Sequence, residues 1–521
     1  MYSNQLIFGK NQLTNIASVE VDGDNLIIFQ EKNGEFGELT TSVFPATYWF
    51  ITNKRISQKQ IELEGNQYYK YLAEFSSLEE YEKVRSLLYQ KRIDFYTIWD
   101  KKEANMVRQG ITYYKGLQPK DISVLSFDIE SDGLNKTKNS EIYIITNTFR
   151  RGEEIIRQSF FLDDYDTQAE MIDDWCFFVR TMDPSIILGH NIFSYDFPYL
   201  AHVAALNNTS LKLGRDESDI RFNDKASSFR KDGSQSYEYN KAFIFGRELV
   251  DTMFLSIKYD VARNFPSYGL KSIVKHLGME KEGRSFVDAS KIKHFYNERI
   301  KFPEMWDKTK AYAEEDSDDA LKLYDLMSPS FFYMTQNISK TYQEINCGAT
   351  GSQINNMMVR SYFQLNHSIA KASEAEPFEG GISLGVPGIY KNCLKWDLAS
   401  AYPHTIIQYN LYDKRKDPAG NFLTMVKYFT KARIQNKKLA KETNLIYYKD
   451  LEQSQKIVIN SFFGFCGATG LNYNAPAIAA EITRRCRGYI IESIKWATGQ
   501  ELDYWKLKSS GEELDEEKRD L

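Results

Sequence analysis

Apolar and polar positions alternate in short runs over the first part of the chain, in SVEVDG (18–23), NLIIFQ (25–30) and TYWFIT (47–52). Each run is closed by turn residues, as half-buried strands require. A helical period follows near 78–92. From 121 onward strands and helices mix: a strand VLSFDIE (124–130), an edge pair through EIYIITNTF, a helix over 167–180, a strand SIILG and a helix over 197–206. Asp232-Gly233 inside the polar stretch 223–240 signals a hairpin. Helical spacing dominates 303–345. Beyond the turn Glu379-Gly380-Gly381, a strand CLKWDLA (393–399) leads to helices over about 422–443, 450–463 and 477–496. The chain has no internal repeat, and its last residues, from Lys506, read as a solvated tail.

At 521 residues the chain exceeds one compact domain. Its 42% hydrophobic and 14% aromatic content is ample for large cores, which excludes wholesale disorder. No apolar run approaches the ~18 residues of a membrane span, and the first residues lack the pattern of a secretory signal. The five cysteines form no CxxC pair. This spacing argues against a disulfide scaffold and a cysteine zinc site, and a reducing cytoplasm fits, the host's if the chain is phage-encoded. Net charge is −5, yet residues 391–500 hold 17 basic against 8 acidic side chains, whereas 501–521 hold 8 acidic against 4 basic. A basic block before an acidic tail points to a polyanionic partner for the block alone.

Strand alternation in VLSFDIE puts Leu125, Phe127 and Ile129 on one face and Asp128 with Glu130 on the other. Two acids on a buried strand repel one another unless a cation sits between them. Strand SIILG delivers His190 and Asn191, and Asp196 follows at a helix start, where it could equally be a cap. On a helical wheel Trp306, Ala313, Ala320, Leu323, Tyr324 and Met327 form an apolar stripe that contains Asp316, while Asp318 and Asp319 read as solvated. Tyr312 stands one turn before Asp316. Four inward acids with few basic partners suit a pair of hard divalent ions, Mg²⁺ or Mn²⁺. Such ions activate water and stabilise a leaving oxygen in phosphodiester hydrolysis.

FDIE, then Asn191-x₃-Tyr195-Asp196, then Tyr312-x₃-Asp316 resembles the three exonuclease motifs of family B DNA polymerases. The resemblance implies an RNase H-like 3′–5′ proofreading domain, with Asp128, Glu130, Asp196 and Asp316 as metal ligands and Tyr312 orienting the water. Phe245-Gly246-Arg247-x₃-Asp251 and Ser267-Tyr268-Gly269-Leu270 resemble segments that pack this domain. The 229–239 hairpin resembles the loop that parts template from primer.

In LKWDLASAYP, Asp397 ends the expected strand and Tyr402-Pro403 follows. Arg433 with Lys437, and Lys456 with Asn460, each lie at i, i+4, so two facing helices could clamp a triphosphate. DLASAYP resembles polymerase motif A, and Lys456-x₃-Asn460-Ser-Phe-Phe-Gly464 resembles motif B. Asp397 would then be a metal ligand, with the Leu398 carbonyl near a metal. Tyr402 would be the steric gate against a ribose 2′-hydroxyl. Arg433, Lys456 and Asn460 would hold the triphosphate, with Lys437 nearby. Ala401, His404 and Phe463 depart mildly from the family pattern. Glu379-Gly380-Gly381 matches the family's linker that contacts template, and AEITRRCR (480–487) resembles a palm helix whose basic residues face DNA phosphate.

A second palm aspartate in a YxDTDS-type hairpin, motif C, does not occur in 465–521, and no thumb follows. With Asp397 alone, two-metal phosphoryl transfer would be crippled. Split family B polymerases occur in some T-even-type phages and some archaea. The expectation is therefore a large subunit that binds primer–template DNA and deoxynucleoside triphosphates and needs a second chain carrying motif C and thumb. A sliding clamp is a further candidate partner. A stand-alone exonuclease with a DNA-binding palm–fingers remnant is the alternative, and a truncated product is the third. The expected architecture is multidomain α/β: a β-rich N-terminal domain (1–115), the exonuclease (116–345), first palm part (346–415), fingers (416–465), palm helix (466–500) and acidic tail (501–521).

Overall fold

The structure, a computed structural model, describes residues 2–32, 39–232, 235–284, 286–374, 376–395 and 397–510. It divides into two compact units, one of 8–50 and 73–349, the other of 1–7, 51–72 and 350–521. Residues 1–115, expected as one domain, thus contribute to both.

The first unit opens with three antiparallel strands, β1 (Ile16–Asp22), β2 (Asn25–Gln30) and β3 (Thr40–Pro45). Helix α1 (Leu78–Gln90) begins two acids into its first turn, Glu79 and Glu80, which suits the dipole. Five strands then form the sheet that carries the site: β4 (Val124–Ser131), β5 (Ile142–Arg151), β6 (Glu154–Phe161), β7 (Ile186–Gly189) and, beyond a hairpin, β10 (Glu248–Asp251). Their order is β6-β5-β4-β7-β10, with β4, β5 and β6 antiparallel and β7 parallel to both β4 and β10. Between them run α2 (Gln168–Met182) and α3 (Asp196–Leu206). The hairpin is β8 (Ser227–Asp232) with β9 (Gln235–Tyr239), and its expected turn residue Gly233 lies outside the described residues.

The sheet's two faces are sorted by the alternation. Leu125, Phe127 and Ile129 enter an apolar core with Trp175, Val179, Phe197 and Leu200. Phe127 meets the rings of Trp175 and Phe197 at 5.5 and 5.0 Å. The other face carries hydroxyls. Helix α4 (Thr252–Tyr259) and the short α5 (Leu270–His276) precede α6 (Pro303–Met327), which lies across that face. Ser126 Oγ donates to the Ser317 carbonyl at 2.7 Å, and Thr146 Oγ1 to the Ala313 carbonyl at 3.1 Å. These bonds fix the rotation of α6 about its axis. Trp306, Ala313, Ala320, Leu323, Tyr324 and Met327 are all buried, as the wheel requires.

The second unit is mainly helical: α7 (Thr350–Gln364), α8 (Ala401–Tyr409), α9 (Asn421–Thr443), α10 (Ile446–Gly467), α11 (Pro476–Thr498) and α12 (Leu502–Ser510). Asn444, at φ 54°, turns α9 back into α10. Two expectations are corrected here. The described residues of 393–399 form no strand, and Leu394 is 85% exposed. A strand is held by a neighbour's backbone groups, and among the described residues nothing pairs with this segment. Residues 502–510 of the expected tail are helical, and 511–521 lie outside the described residues. Among the described residues no helix is long and apolar enough to cross a membrane.

Candidate active site

Two parallel neighbours and one crossing helix assemble the carboxylates. Register pairs Ser126 with Leu188, so β7 ends beside Phe127, the residue before Asp128. The approach there demands glycine: a Cβ on Gly189 would lie 2.6 Å from the Phe127 carbonyl oxygen. Beyond it the chain turns through Asn191 at φ 71°. Asp251, at the end of β10, holds this turn. Its Oδ1 accepts from the amide of Asn191 at 2.9 Å and its Oδ2 from that of Phe193 at 3.3 Å. The turn delivers Asp196 as the first residue of α3, with Tyr195 in the cap position. On β4 the register shifts just after Glu130, and such irregularities re-aim side chains beside functional sites.

Ligand oxygens of Asp128, Glu130 and Asp316 lie within 4.8 Å of one another. Asp196, 3% exposed, stands outside that group. After burial, however, its charge is the strongest influence that raises the Asp128 carboxyl well above its usual range. Burial and the Asp316 charge push Glu130 up to about 8, and burial pushes Asp196 up to about 8 as well. Three mutually repelling carboxylates at this spacing, Glu130 and Asp316 buried and Asp128 half-buried, fit a hard divalent cation, whose ligands are carboxylate oxygens.

The expectation of few basic partners is corrected. Arg284 Nη2 reaches Asp316 Oδ1 at 2.6 Å, and Lys271 Nζ reaches Asp316 Oδ2 at 3.2 Å. Asp319 is corrected too: it is 2% exposed, paired with Arg284 Nη1 and, at 2.9 Å, with Lys322. Asp318 is half-buried and accepts from Thr148 Oγ1 at 2.7 Å and Arg157 Nε at 2.9 Å. Both partners come from distant sequence, which a helical wheel does not see. Tyr312 is buried, with the Lys271 ammonium 3.8 Å from its ring centre.

A cleft of ≈ 260 Å³ opens onto this group, lined by Asp128, His190, Leu270, Lys271, Ser272 and Asp316. His190 fixes its wall. Its Nε2 meets the Tyr268 carbonyl at 2.8 Å and so carries the proton, while its Nδ1 accepts from Thr252 Oγ1 at 2.9 Å. Burial pushes the ring down to about 4, which keeps it neutral. Arg284 carried no local signal in the sequence, whereas Lys271 directly follows the Ser267–Leu270 segment and His190 adjoins a motif residue. Arg247, from one of the packing segments, is buried against the carbonyls of Leu213 and Pro184 and the Asp183 carboxylate.

In the second unit the nucleotide candidates are spread over coil and helices. Asp397 is exposed in coil, and Leu398 is exposed beside it. Tyr402 lies in α8, its ring stacked on Phe463 of α10 at 4.2 Å. Arg433 of α9 is not free for a phosphate: its Nε holds Glu452 of α10 at 2.7 Å and its Nη1 meets Ser400 Oγ. Lys437, Lys456 and Asn460 are exposed. The basic residues expected to face DNA also have local partners. Arg484 and Arg485 grip Glu481 at 2.7 and 2.6 Å, while Arg487 donates to the carbonyls of Glu379 and Gly380 at 2.7 Å each.

The chain matches the family described as DNA polymerase family B, exonuclease domain, over residues 97–273. That span includes Asp128, Glu130 and Asp196 but not Tyr312 or Asp316. A DNA polymerase of Archaeoglobus fulgidus is 23% identical over 408 residues, covering 72% of this chain and 48% of that one. The DNA polymerase delta catalytic subunit of Drosophila melanogaster is 37% identical over 100 residues, covering 16% of this chain and 9% of that one. The chain thus spans about half the length of archaeal relatives such as these, 48% and 52% of the Archaeoglobus and Pyrococcus abyssi polymerases. The solved structure of the family B DNA polymerase from Pyrobaculum calidifontis superposes with a TM-score of 0.73 at 17% identity, covering 92% of this chain and 71% of that one. At that identity the likeness is one of fold.

Proposed function

We propose that this chain, whose residues 97–273 match the exonuclease domain of family B DNA polymerases, is a 3′–5′ DNA exonuclease of that family carrying the first part of a polymerase palm and fingers. A second chain with motif C and thumb completes nucleotide addition. The observation that carries the nuclease reading is the close group of Asp128, Glu130 and Asp316, of which Asp128 and Asp316 line an open cleft.

Asp128, Glu130 and Asp316, together with Asp196, would hold Mg²⁺ or Mn²⁺. When bound, two such ions supply activation of a water and charge stabilisation at the leaving oxygen. The protein's own part is positional. The hydroxyl row on β4 and β5 sets the rotation of α6 and thereby Asp316. Asp251 shapes the turn that presents Asp196. Tyr312, one helical turn from Asp316, would orient the attacking water, and the neutral His190 keeps the cleft wall in place. The substrate is the 3′ end of a DNA primer.

For nucleotide addition, Asp397 and the Leu398 carbonyl would supply half of a metal site, Tyr402 would gate the ribose, and Lys437, Lys456 and Asn460 would bind the triphosphate, joined by Arg433 only on release from Glu452. The exposed, unpaired segment around Asp397 supports the need for a partner, since Ile389 and Leu394 are 96% and 85% exposed. The same feature favours the second reading, in which the lone chain only degrades DNA while the palm–fingers part binds it. The setting is the cytoplasm, the host's for a phage-encoded chain, and a sliding clamp is a further partner.

The test is the purified chain on an end-labelled primer annealed to a longer template, with Mg²⁺, with and without four deoxynucleotides, and with chelator. Metal-dependent shortening without extension is expected. Extension by the lone chain would overturn the partner requirement, and an untouched primer would overturn the nuclease reading.

A further inference from the structure

Both oxygens of Asp316 are engaged, but unequally. Oδ1 belongs to Arg284, whose side chain is 2% exposed and also grips Asp319. Oδ2 belongs to Lys271, whose side chain is 36% exposed and whose contact is the longer, 3.2 Å against 2.6 Å. A buried guanidinium tied to two carboxylates has nowhere else to go, since losing either contact leaves charge unpaired in a medium that does not solvate it. A half-exposed ammonium on four methylenes has an alternative, because the Tyr312 ring lies 3.8 Å from its nitrogen.

The backbone beneath Lys271 is fixed. His190 holds the Tyr268 carbonyl at 2.8 Å, two residues before α5 begins. Lys271 therefore stays at the cleft while its side chain can swing. Any divalent cation that binds Asp128, Glu130 and Asp316 together must draw on an Asp316 oxygen that already holds a cation. The weaker and more exposed contact is the one that yields.

We propose that Lys271 is an exchangeable counter-ion of the carboxylate cleft, which surrenders Asp316 to a divalent cation and then presents its ammonium, over the Tyr312 ring, to the phosphate of the DNA end. Arg284, by contrast, stays in place and orients Asp316 throughout. This rests on the exonuclease reading only for the identity of the phosphate. The competition itself follows from the contacts.

The consequence is a split that ordinary support of a metal site would not produce. In Lys271→Met the competing cation is gone, so Mn²⁺ binds more tightly, by several-fold or more. Turnover at saturating Mn²⁺ falls at least tenfold, because the charge that meets the phosphate is gone too. Lys271→Arg, which keeps a cation, retains an Mn²⁺ affinity near that of the unaltered chain. Mn²⁺ affinity is measured on the full chain by paramagnetic resonance of free Mn²⁺, independently of activity. Unchanged or weaker Mn²⁺ binding in Lys271→Met overturns the proposal. Should that variant fail to fold, the unaltered chain answers through acetylation of Lys271 read by peptide mass spectrometry. Ca²⁺ is expected to speed the modification, and no acceleration overturns the proposal. Tighter Mn²⁺ binding in a chain that degrades no DNA would sustain the counter-ion role and refute the nuclease reading instead.

Discussion

Arg284→Met is the most informative single change to the carboxylate cleft. The guanidinium is 2% exposed and spans Asp316 and Asp319, whose side chains are 8% and 3% exposed. Removing one partner of a buried ion pair costs about 3–5 kcal/mol, because the charge left behind is neither solvated nor paired. Here each carboxylate keeps one lysine, Lys271 at 3.2 Å and Lys322 at 2.9 Å, so the lower end, about 3 kcal/mol, is expected. At roughly 2 °C per kcal/mol for a large domain, the unfolding midpoint of this unit falls by about 6 °C. Adding Asp319→Asn to Arg284→Met removes one of the stranded charges and recovers about 1–2 kcal/mol, a coupling that non-interacting sites would not show. Thermal unfolding followed by calorimetry measures both. A single variant within about 0.5 kcal/mol of the unaltered protein, or a double variant no better than the single one, would refute the assignment of Arg284 as a buried anchor.

Glu130 and Asp196 are pushed up to about 8, so folding favours their protonated forms. The cleft's contribution to stability therefore declines as pH rises from the ordinary carboxylate range through 8, and a bound cation offsets the loss. Mg²⁺ at ~100 times its dissociation constant should add about 2.7 kcal/mol at about pH 9 and distinctly less at about pH 6; equal gains would refute this. Gly189→Ala places a Cβ 2.6 Å from a backbone oxygen and should cost about 1–3 kcal/mol together with nuclease activity, whereas a neutral effect would show that β7 and β4 are less closely locked. Affinity for primed DNA should fall steeply with salt through counterion release from the basic block, and a flat response would remove 391–500 from the interface.

Local patterns carried most of the architecture. Period-two alternation separated Phe127 from Asp128, and the apolar stripe of 303–327 put Asp316 on the inward side. The wheel misjudged Asp319 because its buried partner, Arg284, comes from another segment, whereas Lys322 is its own helix neighbour at i+3. The strand expected at 393–399 failed for a related reason: its apolar alternation is real, but a strand forms only against another strand. Glu452, which occupies Arg433, likewise lies across a helix pair, where spacing along one helix gives no hint. His190 and Asp251 act through hydrogen bonds to backbone, and these leave no compositional trace.

Hydrolysis of DNA from its 3′ end by the carboxylate group, with the help of divalent cations, is the proposed chemistry. It is tested most directly by comparing the unaltered chain with Asp128→Ala/Glu130→Ala on an end-labelled primer in Mg²⁺. Stepwise shortening by the unaltered chain and none by the variant is expected, while both bind the DNA equally well. Undiminished degradation by the variant would contradict it.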